Sequence, residues 1–267
     1  MVQAAGAIRG MTQIQPRPEQ PSQPWWLALY YRGAFWFCLL VFGVSCLVWS
    51  LPATLLYPLL RRFPWSERLG QAGITHGFRW ALWVMRVTGV LRVDFSALDA
   101  LRGEAGLVLA PNHPTMLDAV LLISRLPRVV CITKAALWDN PFLGGGIRLA
   151  GYVRNDVPLP MIRRAAEAVR QGRHLLIFPE GSRTQTPPID PFHRSFGVLA
   201  RATGRPVQTV LIVAESPYLS KGWPLLRPPV LPLAFRIRLG ARFQPGPEPQ
   251  AFVAQLEAYF RAELRPA

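Results

Sequence analysis

Between Gly33 and Leu60 the chain carries no charged residue. Crossing the hydrocarbon core of a bilayer takes roughly 20 predominantly apolar residues, so this stretch is long enough to span one. It follows an aromatic cluster, Trp25-Trp26-Leu27-Ala28-Leu29-Tyr30-Tyr31, of the amphipathic kind that settles at a membrane–water interface. Pro52 and Pro58 interrupt its second half, and a proline inside a helix removes one hydrogen bond and crowds the preceding turn. Two arrangements stay open: one tilted span, or a helix pair that dips into one leaflet and returns. Arg32 precedes the stretch and Arg61-Arg62 follow it. With cations on both flanks the positive-inside rule selects no orientation for a single span, which leans toward re-entry with both ends on the cytoplasmic side. A cleaved signal peptide does not fit, because the apolar run starts late, is too long, and has no small-residue site close behind it.

Composition supports a lipid-facing chain. Hydrophobic residues make up 51% of the 267 positions, charged residues 17%, and mean hydropathy is +0.20. The formal net charge is +15, and all the basic side chains except Lys134 and Lys221 are arginines. Such a balance suits polyanions, either nucleic acid or an anionic lipid surface. The arginines are spread along the chain and form no stripe or recognisable module, which argues against nucleic acid. Cys38, Cys46 and Cys131 show neither disulfide nor metal spacing, in keeping with a reducing compartment. His76, His174 and His193 are scattered, without a Cys or carboxylate at ligand spacing, so no metal is expected. His193-Arg194, after a proline-rich loop, reads first as ordinary surface and second as a contact for the acceptor or lipid headgroups.

Residues 1–24, rich in Gln and Pro, read as a disordered tail. Residues 25–62 read as the anchoring segment and 63–267 as one domain. From Gln71 to Val90 apolar residues recur at helical spacing. Beyond it, short apolar runs alternate with helical patterns: strands over 91–95, 106–110, 129–133, 174–178, 207–213 and 232–239, and helices over 117–124, 142–150, 159–171 and 250–264. Strands alternating with helices predict an α/β domain with a central mixed sheet flanked by helices.

Three of the strand-to-helix junctions carry polar chemistry. Asn112-His113-Pro114-Thr115-Met116-Leu117-Asp118 follows one buried strand and opens a helix. Loops at strand ends are where α/β folds place reactive groups. Transfer to a hydroxyl needs a base for its proton, and an imidazole held in one tautomer by a carboxylate supplies it. Asp118, one turn beyond His113, can reach back for that purpose. Taken alone, the pair reads as well as a helix cap beside a packed histidine. Phe178-Pro179-Glu180-Gly181-Ser182-Arg183-Thr184 ends a second strand; its arginine can fork onto phosphate oxygens. Gly151-Tyr152-Val153-Arg154 supplies another arginine at a strand end.

In combination, Asn-His-x4-Asp, Gly-x-x-Arg and Phe-Pro-Glu-Gly-Ser-Arg, in this order over residues 75 to 215, resemble the glycerolipid acyltransferase family, whose best-known members are the lysophosphatidic acid acyltransferases. The resemblance implies His113 as catalytic base and Asp118 as its partner. It implies Arg154, Glu180, Gly181, Ser182 and Arg183 as the acceptor site, an acyl-ACP or acyl-CoA thioester as donor substrate, and no cofactor. It implies an N-terminal helix pair on the membrane, a lysophospholipid acceptor such as 1-acylglycerol-3-phosphate, and a place on the cytoplasmic face of a bacterial inner membrane.

Two departures qualify the match. Ser182 stands where the family usually has Thr, and Pro206-Val207-Gln208-Thr209-Val210 lacks the second proline of the family's fourth motif. A narrower likeness, carried by Lys134-Ala135-Ala136-Leu137-Trp138 and Ser220-Lys221-Gly222, is to bacterial members associated with aryl-polyene-type lipid synthesis, which implies a different acceptor. The reading from another class is a membrane-associated lipid-binding protein that keeps the fold without the chemistry. Trp138, Phe142 and Leu143 are candidates to line an acyl tunnel.

Overall fold

The computed structural model describes residues 24–265; the predicted tail, Pro24 apart, lies outside them. In chain order the elements are α1 (Trp25–Leu60), α2 (Ser66–Val87), β1 (Leu91–Val93), α3 (Ser96–Asp99), β2 (Val108–Pro111), α4 (Leu117–Arg125), β3 (Val129–Thr133), α5 (Ala135–Trp138), α6 (Gly144–Leu149), β4 (Val153–Arg154), α7 (Pro158–Arg170), β5 (His174–Leu176), α8 (Arg194–Thr203), β6 (Val207–Ala214), β7 (Leu233–Phe243) and α9 (Pro249–Glu263). The strands form one seven-stranded sheet in the order β1-β7-β6-β2-β5-β3-β4. All pairings are parallel except β6 with β7, which is antiparallel and slips register between Gln208 and Val210. The sheet is thus mixed, as its α/β pattern predicts.

The central strands are buried on both faces, and their residues divide alternately between two cores, as the two-residue period of a strand requires. Leu109, Leu176, Val210 and Ile212 pack with α1, α2 and α4. Val108, Ala110, Leu175 and Leu211 pack with α7, α8 and α9. Helix α8 has no counterpart in the sequence reading. Its Phe196, Leu199, Ala200 and Thr203 lie at helical spacing and are buried, but the proline-rich stretch before it hides the start signal.

α1 is continuous through Pro52 and Pro58; the pair is formed by α1 with α2, not by two halves of 33–60. Two features carry the helix through. The Thr54 hydroxyl donates to the Ser50 carbonyl at 2.7 Å, easing the break in the backbone ladder as hydroxyls do in apolar helices. The glycine run of α6 lets its backbone press against α1: a Cβ on Gly145 would lie 2.5 Å from the Thr54 backbone nitrogen. At 1.5 Å per residue α1 is about 54 Å long, well beyond a hydrocarbon core of about 30 Å. Among the described residues it is the one helix long and apolar enough to cross a membrane. Its outer face is bare, with Leu40, Val48 and Leu55 largely exposed. α2 adds the exposed, mutually stacked Trp80 and Trp83.

Candidate active site

The parallel sheet places the C-terminal ends of β2, β3 and β5 side by side, and the loops leaving them meet there. The loop after β2 is fixed first by Asn112. Its side-chain amide donates to the Ile212 carbonyl at 2.8 Å, and its carbonyl oxygen accepts from the Ile212 N–H at 2.8 Å. This two-way clasp onto β6 holds the next residue, His113, at the strand end. Sequence reasoning gave Asn112 no role; its invisibility there is natural, since Ile212 is a hundred residues away.

His113 and Asp118 do meet. His113 Nδ1 lies 2.9 Å from Asp118 Oδ2, and a carboxylate can only accept, so Nδ1 carries the proton and donates. Asp118, in the first turn of α4, is fully buried. Its remaining lone pairs accept from the Thr115 backbone N–H and the Thr115 hydroxyl, both at 2.8 Å. Burial pushes the Asp118 carboxyl above its ordinary pKa, and the bonds from His113 and Thr115 act against that rise. The His113 ring lies on Phe178, centroids 3.7 Å apart and nearly parallel. Both ring position and tautomer are therefore set, and Nε2 is the atom left to take a proton.

The loop after β5 contributes differently from the expectation of an acceptor-binding Glu180. That carboxylate is 2% exposed and turned into the protein. It accepts from the His113 backbone N–H at 2.8 Å, the Thr184 hydroxyl at 2.7 Å and the Asp190 N–H at 2.9 Å. Burial raises its pKa, with those three donors opposing. Glu180 ties the His113 loop to its own and to the segment before α8, and it does not line the cavity described below. Gly181, Ser182 and Arg183 do line it. Gly181 has φ +67°, and a Cβ there would sit 2.7 Å from the His193 ring. His193 is exposed, as read from sequence, and that close approach also puts it on the cavity wall. Arg183 is braced by donating to the Leu219 and Ser220 carbonyls at 2.9 and 3.0 Å.

Arg154 stands elsewhere. It ends the edge strand β4, bonds Asp139 at 2.8 Å and pairs with Asp156, and its side chain is not part of the cavity wall. The cation that does reach the wall from this edge is Lys134, at the end of β3. The two differ because β3 and β4 pair Thr133 with Arg154, so the residue after Thr133 continues over the strand ends.

His113, Lys134, Gly181, Ser182, Arg183 and His193 border one cavity of about 660 Å³, within the usual range for small-molecule sites. Its polar end holds His113, Lys134, Arg183 and His193. Its apolar end runs between α1, α2, α4 and α6, past Phe42, Ile74, Phe78, Val120 and Ile147. Of the three tunnel candidates Leu143 lines it; Phe142 is exposed, and Trp138 packs against the core nearby. Among the described residues no cluster of His, Cys, Asp and Glu is arranged to hold a metal.

The fold and site define an α/β protein with a His–carboxylate dyad at the mouth of a largely apolar cavity. The model of the family called Acyltransferase matches residues 92–213, which hold the dyad and the loop of Glu180. The chain is 26% identical over 193 residues to a chloroplastic 1-acyl-sn-glycerol-3-phosphate acyltransferase of Brassica napus, covering 70% of this chain and 54% of that protein. It is 24% identical over 190 residues to a 1-acyl-sn-glycerol-3-phosphate acyltransferase of Pseudomonas aeruginosa, covering 69% of this chain and 72% of that one. The chain thus spans about half the length of the Brassica protein. The crystal structure of the lysophosphatidic acid acyltransferase PlsC from Thermotoga maritima superposes with a TM-score of 0.62 at 18% identity, over 90% of this chain and 97% of that one, so the fold is shared. Over residues 92–213 the chain is thus similar to the Acyltransferase family, and both of these relatives are 1-acyl-sn-glycerol-3-phosphate acyltransferases.

Proposed function

We propose that the protein is a membrane-bound O-acyltransferase that moves a fatty acyl chain from acyl-ACP or acyl-CoA to the free hydroxyl of a lysophospholipid such as 1-acylglycerol-3-phosphate. The single observation that carries this is the His113–Asp118 dyad opening onto a cavity that is cationic at the dyad and apolar away from it. His113 Nε2 takes the acceptor's hydroxyl proton as its oxygen attacks the thioester carbonyl carbon. Asp118 stabilises the imidazolium that forms. The tetrahedral oxyanion collapses, the C–S bond breaks, and the leaving thiolate receives the proton from His113. No nucleophilic Ser or Cys is needed. Arg183 and Lys134, both on the cavity wall, supply the positive charge for an acceptor phosphate in this reading. Glu180 acts as a positioning residue, through the His113 backbone.

The bare apolar face of α1 and the Trp80–Trp83 pair of α2 suit insertion into a lipid surface. The opposite side of the sheet, covered by α7, α8 and α9, then faces the aqueous phase, which in this reading is the bacterial cytoplasm. The test is mass spectrometry of lipids formed by proteoliposomes from acyl-CoA or acyl-ACP and a lysophospholipid panel. A diacylated product absent from the His113→Ala sample supports the reading. Lipid binding with no acyl product from any donor and acceptor pair would replace it with a non-catalytic lipid-binding role.

A further inference from the structure

Two polar atoms in the apolar end of the cavity have no partner among the described residues. The Tyr152 hydroxyl and the Trp49 indole nitrogen are both buried, both residues line the cavity, and neither atom makes a hydrogen bond. Tyr152 is 5% exposed. A buried donor left unmade costs about 1–3 kcal/mol, so buried tyrosines and tryptophans normally find a partner. One such atom is unremarkable in a protein; two bordering one cavity, amid aliphatic and aromatic carbon, is a pattern.

The same short helix brings them there. The Tyr152 N–H donates to the Ile147 carbonyl at 3.2 Å, which folds Tyr152 back against the end of α6. One residue earlier, Gly146 receives the Trp49 indole so closely that a Cβ would lie 3.1 Å from its nitrogen and 3.2 Å from the Ser50 hydroxyl oxygen. Ser50 also lines the cavity. On the Tyr152 side the wall is completed by Cys131, two residues inward from Thr133 on β3. Burial holds the Tyr152 phenol well above its ordinary pKa, so it stays a neutral O–H.

An indole N–H can only donate, whereas a phenol can donate or accept. A hydroxyl on the occupant can pair with either atom: it can accept from Trp49, and it can accept from or donate to Tyr152. A plain methylene chain would cover both atoms and leave them unpaired. We infer that Tyr152 and Trp49 form a polar subsite within the acyl-chain cavity that selects a chain bearing a hydroxyl group. This deepens the proposed acyl transfer and rests on it for the identity of the cavity's occupant.

The test separates the two readings. Full-length protein in nanodiscs is equilibrated with an equimolar mixture of octadecanoic acid and its positional hydroxy isomers, and the retained acids are extracted and weighed by mass spectrometry. Wild type is expected to enrich at least one hydroxy isomer about tenfold over the unsubstituted acid, the effect of one buried hydrogen bond. Tyr152→Phe, which removes one oxygen and keeps the ring, should abolish that enrichment while retaining octadecanoic acid as before. Trp49→Phe should reduce it. Equal retention of all acids by wild type, or an enrichment unchanged in Tyr152→Phe, overturns the subsite. Because retention needs no turnover, an enzyme that makes no acyl product would refute the acyl-transfer reading and leave this result to stand or fall by itself. Where turnover is present, the same hydroxy isomer supplied as its CoA thioester should show the matching fall in kcat/KM in Tyr152→Phe, and a smaller one in Trp49→Phe.

Discussion

The loops after β2 and β5 each bury a carboxylate, and the two are used in opposite ways. Asp118 Oδ2 accepts from both the His113 ring and the Thr115 backbone N–H, and its Oδ1 accepts from the Thr115 hydroxyl, all from the adjoining loop. Glu180 touches no ring. Its oxygens collect donors from three separate segments: the backbone of His113, the hydroxyl of Thr184 and the backbone of Asp190. A carboxylate bonded to an imidazole governs a proton; one bonded to distant backbone governs where loops sit. A single pair of acidic residues in neighbouring motifs thus divides into chemistry and construction.

Replacing the ring gives the largest expected effect. His113→Ala should lower kcat by about 10³-fold or more with little change in thermal stability, as general-base loss alone costs 10²–10⁴. Asp118→Asn should fall nearly as far, because an amide can donate to Nδ1 and so favours the wrong tautomer. Its melting temperature should drop only slightly, since Thr115 keeps a carbonyl acceptor. A normal turnover in either variant, measured with the lipid product assay, would break the contrast.

Glu180→Gln should show the opposite profile. Replacing the buried acceptor shared by three donors with an amide that brings two N–H groups into the same space costs about 1–3 kcal/mol, read as a lower melting temperature, with activity falling in step because the His113 backbone tether is weakened. A full loss of activity with unchanged stability would move Glu180 into the chemistry. pH sharpens the same point. Burial raises the Glu180 pKa in the folded protein, so the fold binds that proton more tightly than the unfolded chain does. The stability tied to the protonated form is complete below the ordinary carboxyl pKa of about 4.3 and is lost as pH rises through the folded value. The stability deficit of Glu180→Gln should therefore be widest near pH 4 and narrow toward neutrality in denaturant titrations at a series of pH values.

The arginines give the smallest effects and separate the cavity from the rim. Arg183→Lys keeps the charge but not the fork that braces Leu219 and Ser220; a roughly tenfold rise in acceptor KM is expected with kcat less affected. Arg154→Ala should change KM less than about twofold, because its exposed pairs with Asp139 and Asp156 are of the kind that contributes little. A large KM effect at Arg154 would restore it to the acceptor site that the family resemblance implies.

Much of this was legible in the chain. The α/β alternation, the strand-end placement of His113, Glu180 and Arg183, and the amphipathic faces of α7 and α9 follow from local periodicity, and local periodicity is what a strand or helix imposes on sequence. The clasp of Asn112 on Ile212 and the inward turn of Glu180 were not legible, because each depends on a partner brought close only by the parallel pairing of β2 with its neighbours. Nor was α8 with its neighbour His193, where prolines obscure the start, or the unbroken course of α1 through Pro52 and Pro58, which α6 supports from the side.

The sequence by itself determined the residue types and their order along the chain: a long uncharged anchor, a histidine five residues before an aspartate, and a glutamate three before an arginine. Tertiary structure alone decided which of them face the cavity. Side chains at adjacent positions of a loop point in different directions, and only the packing of one strand end against the next sends Lys134 and Arg183 into the cavity while Glu180 goes to the interior and Arg154 to the rim.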